Sequence, residues 1–430
     1  ATDSGTTGGS LTSTLAAGTY YVRVTPAEVI GNPIYDNNDY YTVTVQPHDA
    51  PNTITIATAN TANQGGADYI TNGVNDHEII NQAIAQVGAS GGGTVLLLGG
   101  TYSIADNILI TYDNVTLSGV GWGTTLKLAD NTELQSAGML RSAFHRSADN
   151  IATSHFINQH FLSMRLDGNK ANQVTKHNAY GNFGTYENSS FVDIRITDFP
   201  YYGFDPHENS WVGQPTIRLT IKDSLADHNG QDGITIDDLE DSWIVSNIAD
   251  SNYRHGINIC TDADNNLFLG NVASYNGGNG ITVQPGTELE RTSDNNHLIG
   301  NISKFNTKSG LLNYLGENTR IIGNALMNNG EHGIRLRSAS HNTLDGNILL
   351  NNSQLLHDKY HEIYLDNNGA TFSTYNTISN NWITSNTAIQ SRYAVTERSP
   401  NENYNTLTNN IIQGTVKRIR LQGANSQIIS

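Results

Sequence analysis

Between Tyr201 and Glu208 the chain reads Tyr-Tyr-Gly-Phe-Asp-Pro-His-Glu. A phenol (Tyr202), a carboxylate (Asp205) and an imidazole (His207) fall close together there, and each can give, take or stabilise a proton. Gly203 and Pro206 between them suggest a fixed backbone course. The same residue types also decorate ordinary surface turns. The choice between catalysis and decoration therefore rests on the elements that would carry them.

Those elements repeat. Segments starting at Asn229, Asn252, Asn276, Asn306 and Asn329 all read Asn-x-x-x-Gly-(Ile/Leu). Their glycines, Gly233, Gly256, Gly280, Gly310 and Gly333, are 23, 24, 30 and 23 residues apart, and Gly203 lies 30 before Gly233. One coil of a parallel β-helix takes this many residues, the longer coils carrying an inserted loop. Asn at a fixed corner can stack on its neighbours, and Gly is expected to supply turn backbone that side chains resist. Leucine-rich repeats share the length range but require a Leu-x-x-Leu-x-Leu pattern that this chain lacks.

Strand side chains alternate between faces, so the repeat assigns directions. One and three residues after each glycine come Phe204, Ile234, Ile257, Ile281, Leu311, Ile334 and then Pro206, Ile236, Ile259, Val283, Asn313, Leu336. These columns are apolar except for Asn313 and predict an enclosed core. The columns two and four after the glycine are expected to face out: Asp205, Thr235, Asn258, Thr282, Leu312, Arg335 and His207, Asp237, Cys260, Gln284, Tyr314, Arg337. Just before the glycines lie Tyr202, Asp232, Arg254, His255, Lys308 and His332. With coils about 4.8 Å apart, His207 and Asp237 fall one rung apart, and Tyr202 and Arg254 two. A band mixing Tyr, Asp, His, Lys and Arg reads as a groove for a linear charged chain, whereas a solvated ladder favours Asn, Thr and Ser.

The composition agrees with many short strands and tight turns: 41 Gly, only 9 Pro and 15% charged residues in 430. A net charge of −17 argues against nucleic acid and requires that cations for an anionic polymer be gathered locally. Cys260 is the single cysteine, so no intrachain disulfide forms. No apolar run reaches the ~20 residues of a membrane span. The chain begins at Ala1 rather than Met, and removal of an export signal from a secreted, extracellular protein is the expectation.

Residues 1–50 differ from the rest. Leu15–Thr25 and Tyr40–Gln46 alternate at period two and read as a small accessory β-module or a fragment of one, with no catalytic role. Residues 51–430 are assigned to the catalytic domain. Asn75-Asp76 can cap a helix over roughly 77–87 with Ile79, Ile80, Ala83, Ile84 and Val87 on one face. Gly91–Gly93 ends it before an apolar strand at Thr94–Leu98. Such a helix would close the amino end of the solenoid.

Tyr202-Gly-Phe-Asp-Pro-His-Glu208 and Arg254-His-Gly-Ile-Asn258 closely resemble the catalytic module of the secreted mannuronan C5-epimerases. Leu166-Asp-Gly-Asn169, Met139-Leu-Arg-Ser142 and Arg420-Leu-Gln-Gly-Ala-Asn-Ser426 are similar to that module too, and the match covers roughly residues 65–428. The resemblance implies an all-β, right-handed parallel β-helix of the pectate-lyase-like kind and a monomer acting on alginate. It also implies that Tyr202, Asp205, His207 and Arg254 are essential, with Lys176 and Asp237 near the site. Substrate contacts are expected from Lys176, Asp232, Asp237, His255, Gln284, Lys308, Arg335 and Arg337. The family implies Ca²⁺ and no organic cofactor, but the glycine-rich calcium-binding repeats of its carboxy-terminal modules are absent, and no calcium ligand is named.

In the reaction so implied, cations neutralise the uronate carboxylate, one group removes H5 and another returns a proton to the opposite face. His207 suits the base and Tyr202 the acid, although the residues alone leave the order open. A mannuronate lyase shares the first steps and then expels the 4-oxygen. A pectate lyase would need a calcium–carboxylate cluster. A β-helical adhesin or polysaccharide-binding module has no reason to gather these four side chains. His357, His361 and Glu362 have helical metal-site spacing but fall in an insertion, read as a solvated loop. Cys260 is read as a small packed thiol beside the groove.

Overall fold

Asp76–Ala89 forms the predicted helix, with Ile80, Ala83, Ile84 and Val87 buried against the first strands. Asn75 precedes it in the left-handed region at φ 53° and makes no side-chain cap. Asp76 instead accepts hydrogen bonds from the backbone N–H of Gly73 at 2.9 Å and of Ser103 at 2.8 Å, which ties the helix to the sheet beneath. The computed structural model describes residues 52–62, 64–134, 137–142, 156–174, 179–208, 213–386, 388–414 and 416–429. The accessory module expected in residues 1–50 lies outside them, as does Lys176.

Beyond the helix the chain is a parallel β-helix. Its groove wall is an eight-stranded sheet: Ile234–Asp237, Ile257–Cys260, Ile281–Gln284, Leu311–Tyr314, Ile334–Arg337, Ile363–Asp366, Tyr393–Glu397 and Lys417–Arg420. Successive strands pair in parallel, so Thr235, Asn258, Thr282, Leu312, Arg335 and Tyr364 stand in one file. A 25-stranded parallel sheet and two short parallel sheets of three and two strands make up the rest. Bridges from Phe204 to Ile234 and from Gly184 to Pro206 place Gly203–His207 on the rung before Ile234–Asp237. No helix among the described residues is long and apolar enough to cross a membrane.

The inward columns are as expected: Phe204, Ile234, Ile236, Ile257, Ile259, Ile281, Val283, Leu311, Ile334 and Leu336 are all buried in one core. Asn313 is buried among them, and its carboxamide accepts the Gly316 N–H at 3.0 Å and donates to Asn342 at 3.3 Å.

The corner asparagines form a hydrogen-bonded file. Nδ2 of Asn229 donates to Oδ1 of Asn252 (3.0 Å), and the pattern continues through Asn276, Asn306, Asn329 and Asn352. This file explains the glycines differently from the sequence reading. The glycines of the repeat do not adopt positive φ. A Cβ on Gly233, Gly256, Gly280, Gly310 or Gly333 would stand 2.6, 2.7, 2.6, 2.7 or 2.9 Å from the carboxamide nitrogen of the next asparagine. Close approach, not turn geometry, requires them.

Two further expectations change. The column two after the glycine turns away from the core, yet Asp205, Thr235, Asn258 and Thr282 are buried, closed over by neighbouring polar side chains. The His357–Glu362 stretch is not a solvated loop throughout. His361 is buried and Glu362 is wholly so, accepting hydrogen bonds from the N–H (3.0 Å) and Nδ2 (2.5 Å) of Asn352 and from Ser391 Oγ (2.6 Å). It ends the asparagine file.

Candidate active site

The strand pairing puts His207 beside Asp237 on the next rung, with Nδ1 3.2 Å from Oδ2. The His207 backbone N–H donates to Gly184 O (2.9 Å), and its ring stacks on Phe183 at 4.9 Å. Backbone and ring face are thus both fixed. A carboxylate on Nδ1 keeps the proton there and leaves Nε2 as the basic nitrogen. Burial opposes the charge on Asp237, but the hydrogen bond and charge of His207, with donors from Cys260 and Thr261, hold its carboxyl below the usual range. Cys260 Sγ donates to Asp237 Oδ1 at 2.6 Å, and burial pushes that thiol well up. The cysteine is a packed, protonated donor.

Tyr202 and Arg254 meet although their coils are two rungs apart, because the long arginine reaches back. Nη2 of Arg254 donates to the Tyr202 hydroxyl at 3.3 Å, and the guanidinium lies 5.4 Å from the ring centroid. Its other side is a fork on Asp232: Nε donates to Oδ1 at 2.7 Å and Nη2 to Oδ2. Burial works against the arginine's charge, but Asp232 outweighs it and raises its pKa further. Burial raises the Tyr202 pKa, Arg254 partly offsets this, and Asp232 and Asp205 push it up again. The phenol is held protonated.

Asp205 is 3% exposed, and its Oδ1 has no hydrogen bond among the described residues. Burial first, then Asp237 and Asp232, raise its carboxyl well above the ordinary range, against the pull of Arg254. That direction favours the neutral acid, a form that can donate a hydrogen bond.

The other expected contacts divide. Asp232 is fully buried and engaged by Arg254, the His255 N–H and Thr235, so it positions the arginine and is not itself a ligand group. His255 is buried too, with Nδ1 accepting the Asn279 N–H at 3.0 Å, and burial lowers its pKa to about 4. Gln284 donates to Asn258 at 2.9 Å, while Lys308 is exposed. Farther along the wall, Arg335 pairs with Asp366 at 2.6 Å and Arg337 lies 4.8 Å from the Tyr314 ring centroid.

Sequence reasoning missed Tyr180, Phe183 and Arg291. Tyr180 stacks on Tyr201 at 5.1 Å and meets Tyr202 edge-on at 5.4 Å. Arg291 holds Glu208 by two bonds of 2.8 and 3.0 Å, with Asp238 at 3.1 Å and Asp262 at 2.6 Å. None of the three sits in the glycine register or in the motifs that carry the family resemblance, the signals that located the others.

Asp205, His207 and Asp237 present ligand atoms within 4.8 Å of one another, the one such group among the described residues. It does not fit calcium, which takes 6–8 oxygen ligands. One ligand here is an imidazole, and Asp237 already serves His207 and Cys260, which leaves too few free oxygens.

The family model for rhamnogalacturonase A/epimerase, pectate-lyase-like proteins matches residues 66–282, half of the chain. The solved A-module of the Azotobacter vinelandii mannuronan C5-epimerase AlgE6 is 30% identical and superposes with a TM-score of 0.72, covering 83% of this chain and 95% of that module. The chain belongs to the mannuronan C5-epimerase family. Among curated relatives, the A. vinelandii mannuronan C5-epimerase AlgE3 is 35% identical over 226 residues, 50% of this chain and 12% of that protein. An A. vinelandii protein named alginate lyase 7 is 32% identical over 201 residues, 44% of this chain and 22% of that protein. The chain spans between 12% and 34% of the lengths of the curated relatives it matches. Within this mannuronan C5-epimerase fold, the register that carries Tyr202, Asp205 and His207 also brings Asp237 and Arg254 to the same stretch of wall.

Proposed function

We propose that this chain, exported from the cell, converts β-D-mannuronate to α-L-guluronate residues within polymeric alginate. The observation that carries the reading is the pairing of each proton-transfer group with its own charged partner, His207 with Asp237 and Tyr202 with Arg254. The uronate carboxylate lies against Arg254, whose Nη1 makes no hydrogen bond among the described residues, and against the acid proton of Asp205. Lys308 and the cations farther along the wall extend the anionic-chain path. With the carboxylate neutralised, His207 Nε2 takes H5 and the bond's electrons move into the carboxyl group as an enolate. The Tyr202 hydroxyl then gives its proton to the opposite face of C5. The resulting tyrosinate, beside a protonated His207, recovers a proton readily because its pKa is high. No step requires a metal ion.

The match to a protein named alginate lyase 7 favours one second reading, elimination of the 4-oxygen from the same enolate. Proton NMR of polymannuronate incubated with the protein separates the two. Guluronate anomeric signals without unsaturated ends are expected; unsaturated ends as the main product would make the chain a lyase, and no change in the polymer would remove both readings.

A further inference from the structure

Two coils of the repeat run to 30 residues, those from Gly203 to Gly233 and from Gly280 to Gly310. Their extra residues follow the groove-wall strands on one side, and the structure shows what joins them. Arg291, in the second insertion, reaches back to Glu208, at the start of the first. On the way its guanidinium also meets Asp238 and Asp262, so one cation holds carboxylates from three successive coils. Glu208 directly follows His207, and Asp238 directly follows Asp237. Burial and the adjoining Glu208 push the Asp238 carboxyl up to about 8, so without the cation two acids would face each other at this point.

We infer that Arg291 is a positioning residue: by clamping Glu208 and Asp238 on consecutive coils it sets the separation and alignment of the His207–Asp237 pair. The inference rests on the epimerase reading for its kinetic part. The Arg291 side chain is 26% exposed and its partners among the described residues are all carboxylates of this chain, so its role does not require contact with the polymer. The fork on Glu208 needs a planar guanidinium; an ammonium cannot reproduce it while also reaching Asp238 and Asp262.

The test uses full-length Arg291→Gln and Arg291→Lys, with kcat and KM measured on polymannuronate and the His207 imidazole signals followed by NMR across pH. A small misplacement at the reacting pair predicts a kcat loss of about 10–100-fold in Arg291→Gln. KM should stay within about threefold, because uniform substrate binding is untouched. Arg291→Lys should recover little of the loss, and the His207 signals should move in both variants. The double variant Glu208→Gln/Arg291→Gln should lose no more than Arg291→Gln alone. A raised KM at unchanged kcat would make Arg291 a substrate contact and overturn the inference, as would unchanged kcat with unmoved imidazole signals. If Arg291→Gln does not fold, the lysine variant decides by the same readings. If the parent makes no guluronate, the proposed function falls, and the imidazole signals alone decide the clamp.

Discussion

Tyr202 and His207 work under different constraints, and the difference is testable. His207 has its Nδ1 tied to a carboxylate, whereas Tyr202 has its hydroxyl on a guanidinium and its pKa raised by burial. In deuterated water, Tyr202→Phe should still abstract H5 and show trace deuterium at C5 of mannuronate or some elimination, with no guluronate. His207→Ala should show none of these. The reverse pattern would exchange the two roles. Arg254→Lys should lose about 100-fold or more in turnover, since it breaks the fork on Asp232 that aims the charge. A lysine variant near parental turnover would reduce Arg254 to part of the general field.

Asp205 gives a prediction with a definite sign. Its folded pKa is raised, so the folded protein holds a proton that the unfolded chain releases at ordinary carboxylate pH. Stability is therefore lost as pH rises from about 4 toward the folded value. Asp205→Asn removes this penalty, so its melting temperature should exceed the parent's by a margin that widens from acid to neutral pH, while turnover falls. A margin that stays flat would mean that Asp205 is charged in the folded protein. The identities of Tyr202, Asp205, His207 and Arg254 were legible because they sit in a counted register. Tyr180 and Phe183 were not, because they come from the coil before that register begins. Arg291 was not, because its partner Glu208 is 83 residues away and no local pattern links them.

At the scale of the coil, periodicity revealed the core and the asparagine file but misattributed the glycines. A repeated glycine says that a side chain is excluded, not why. Gly256→Ala would put a Cβ 2.7 Å from both Asn276 Nδ2 and the Gly280 carbonyl, atoms held by the file itself. Such overpacking should cost about 1–3 kcal/mol in urea unfolding. Gly270 at φ +65° has only Ser246 Oγ at 3.9 Å, so Gly270→Ala should cost about 1 kcal/mol from backbone strain alone. Equal costs would show that the file yields. The insertion around His361 was misjudged because polar residues suggest solvent, while burial of Glu362 depends on Asn352 and Ser391, which meet it only in the fold. Burial raises Glu362 to about 7, against the hydrogen bonds of Asn352 and Ser391. Between about pH 4.5 and 7 the folded state therefore binds more protons than the unfolded one, and this site's contribution to stability falls as pH rises. Glu362→Gln should flatten that decline in melts across the same range.

For the whole molecule, the parallel coils make function local to a few rungs. Residues 1–50 carry none of the groove residues, so their deletion should leave turnover on soluble polymannuronate largely intact. Lost turnover in a folded truncation would show that part of the site had been missed. The asparagine files have a further consequence along the axis from Asn229 onward. In each, one carboxamide N–H points to the asparagine of the next coil, from Asn229 to Asn352 in one file and from Asn247 to Asn410 in a second. The other N–H of the same Nδ2 is tied to a backbone carbonyl, as Asn252 to Ala226 O and Asn271 to Ile244 O. A third runs through Asn342, Asn376 and Asn405. Aligned amide dipoles add, as they do in an α-helix, but here they belong to side chains. The solenoid thus carries polarised filaments whose positive poles face its carboxy-terminal end. The first and third terminate on Glu362 and Glu397, carboxyl groups that stand where an acidic residue stands at the amino terminus of a helix.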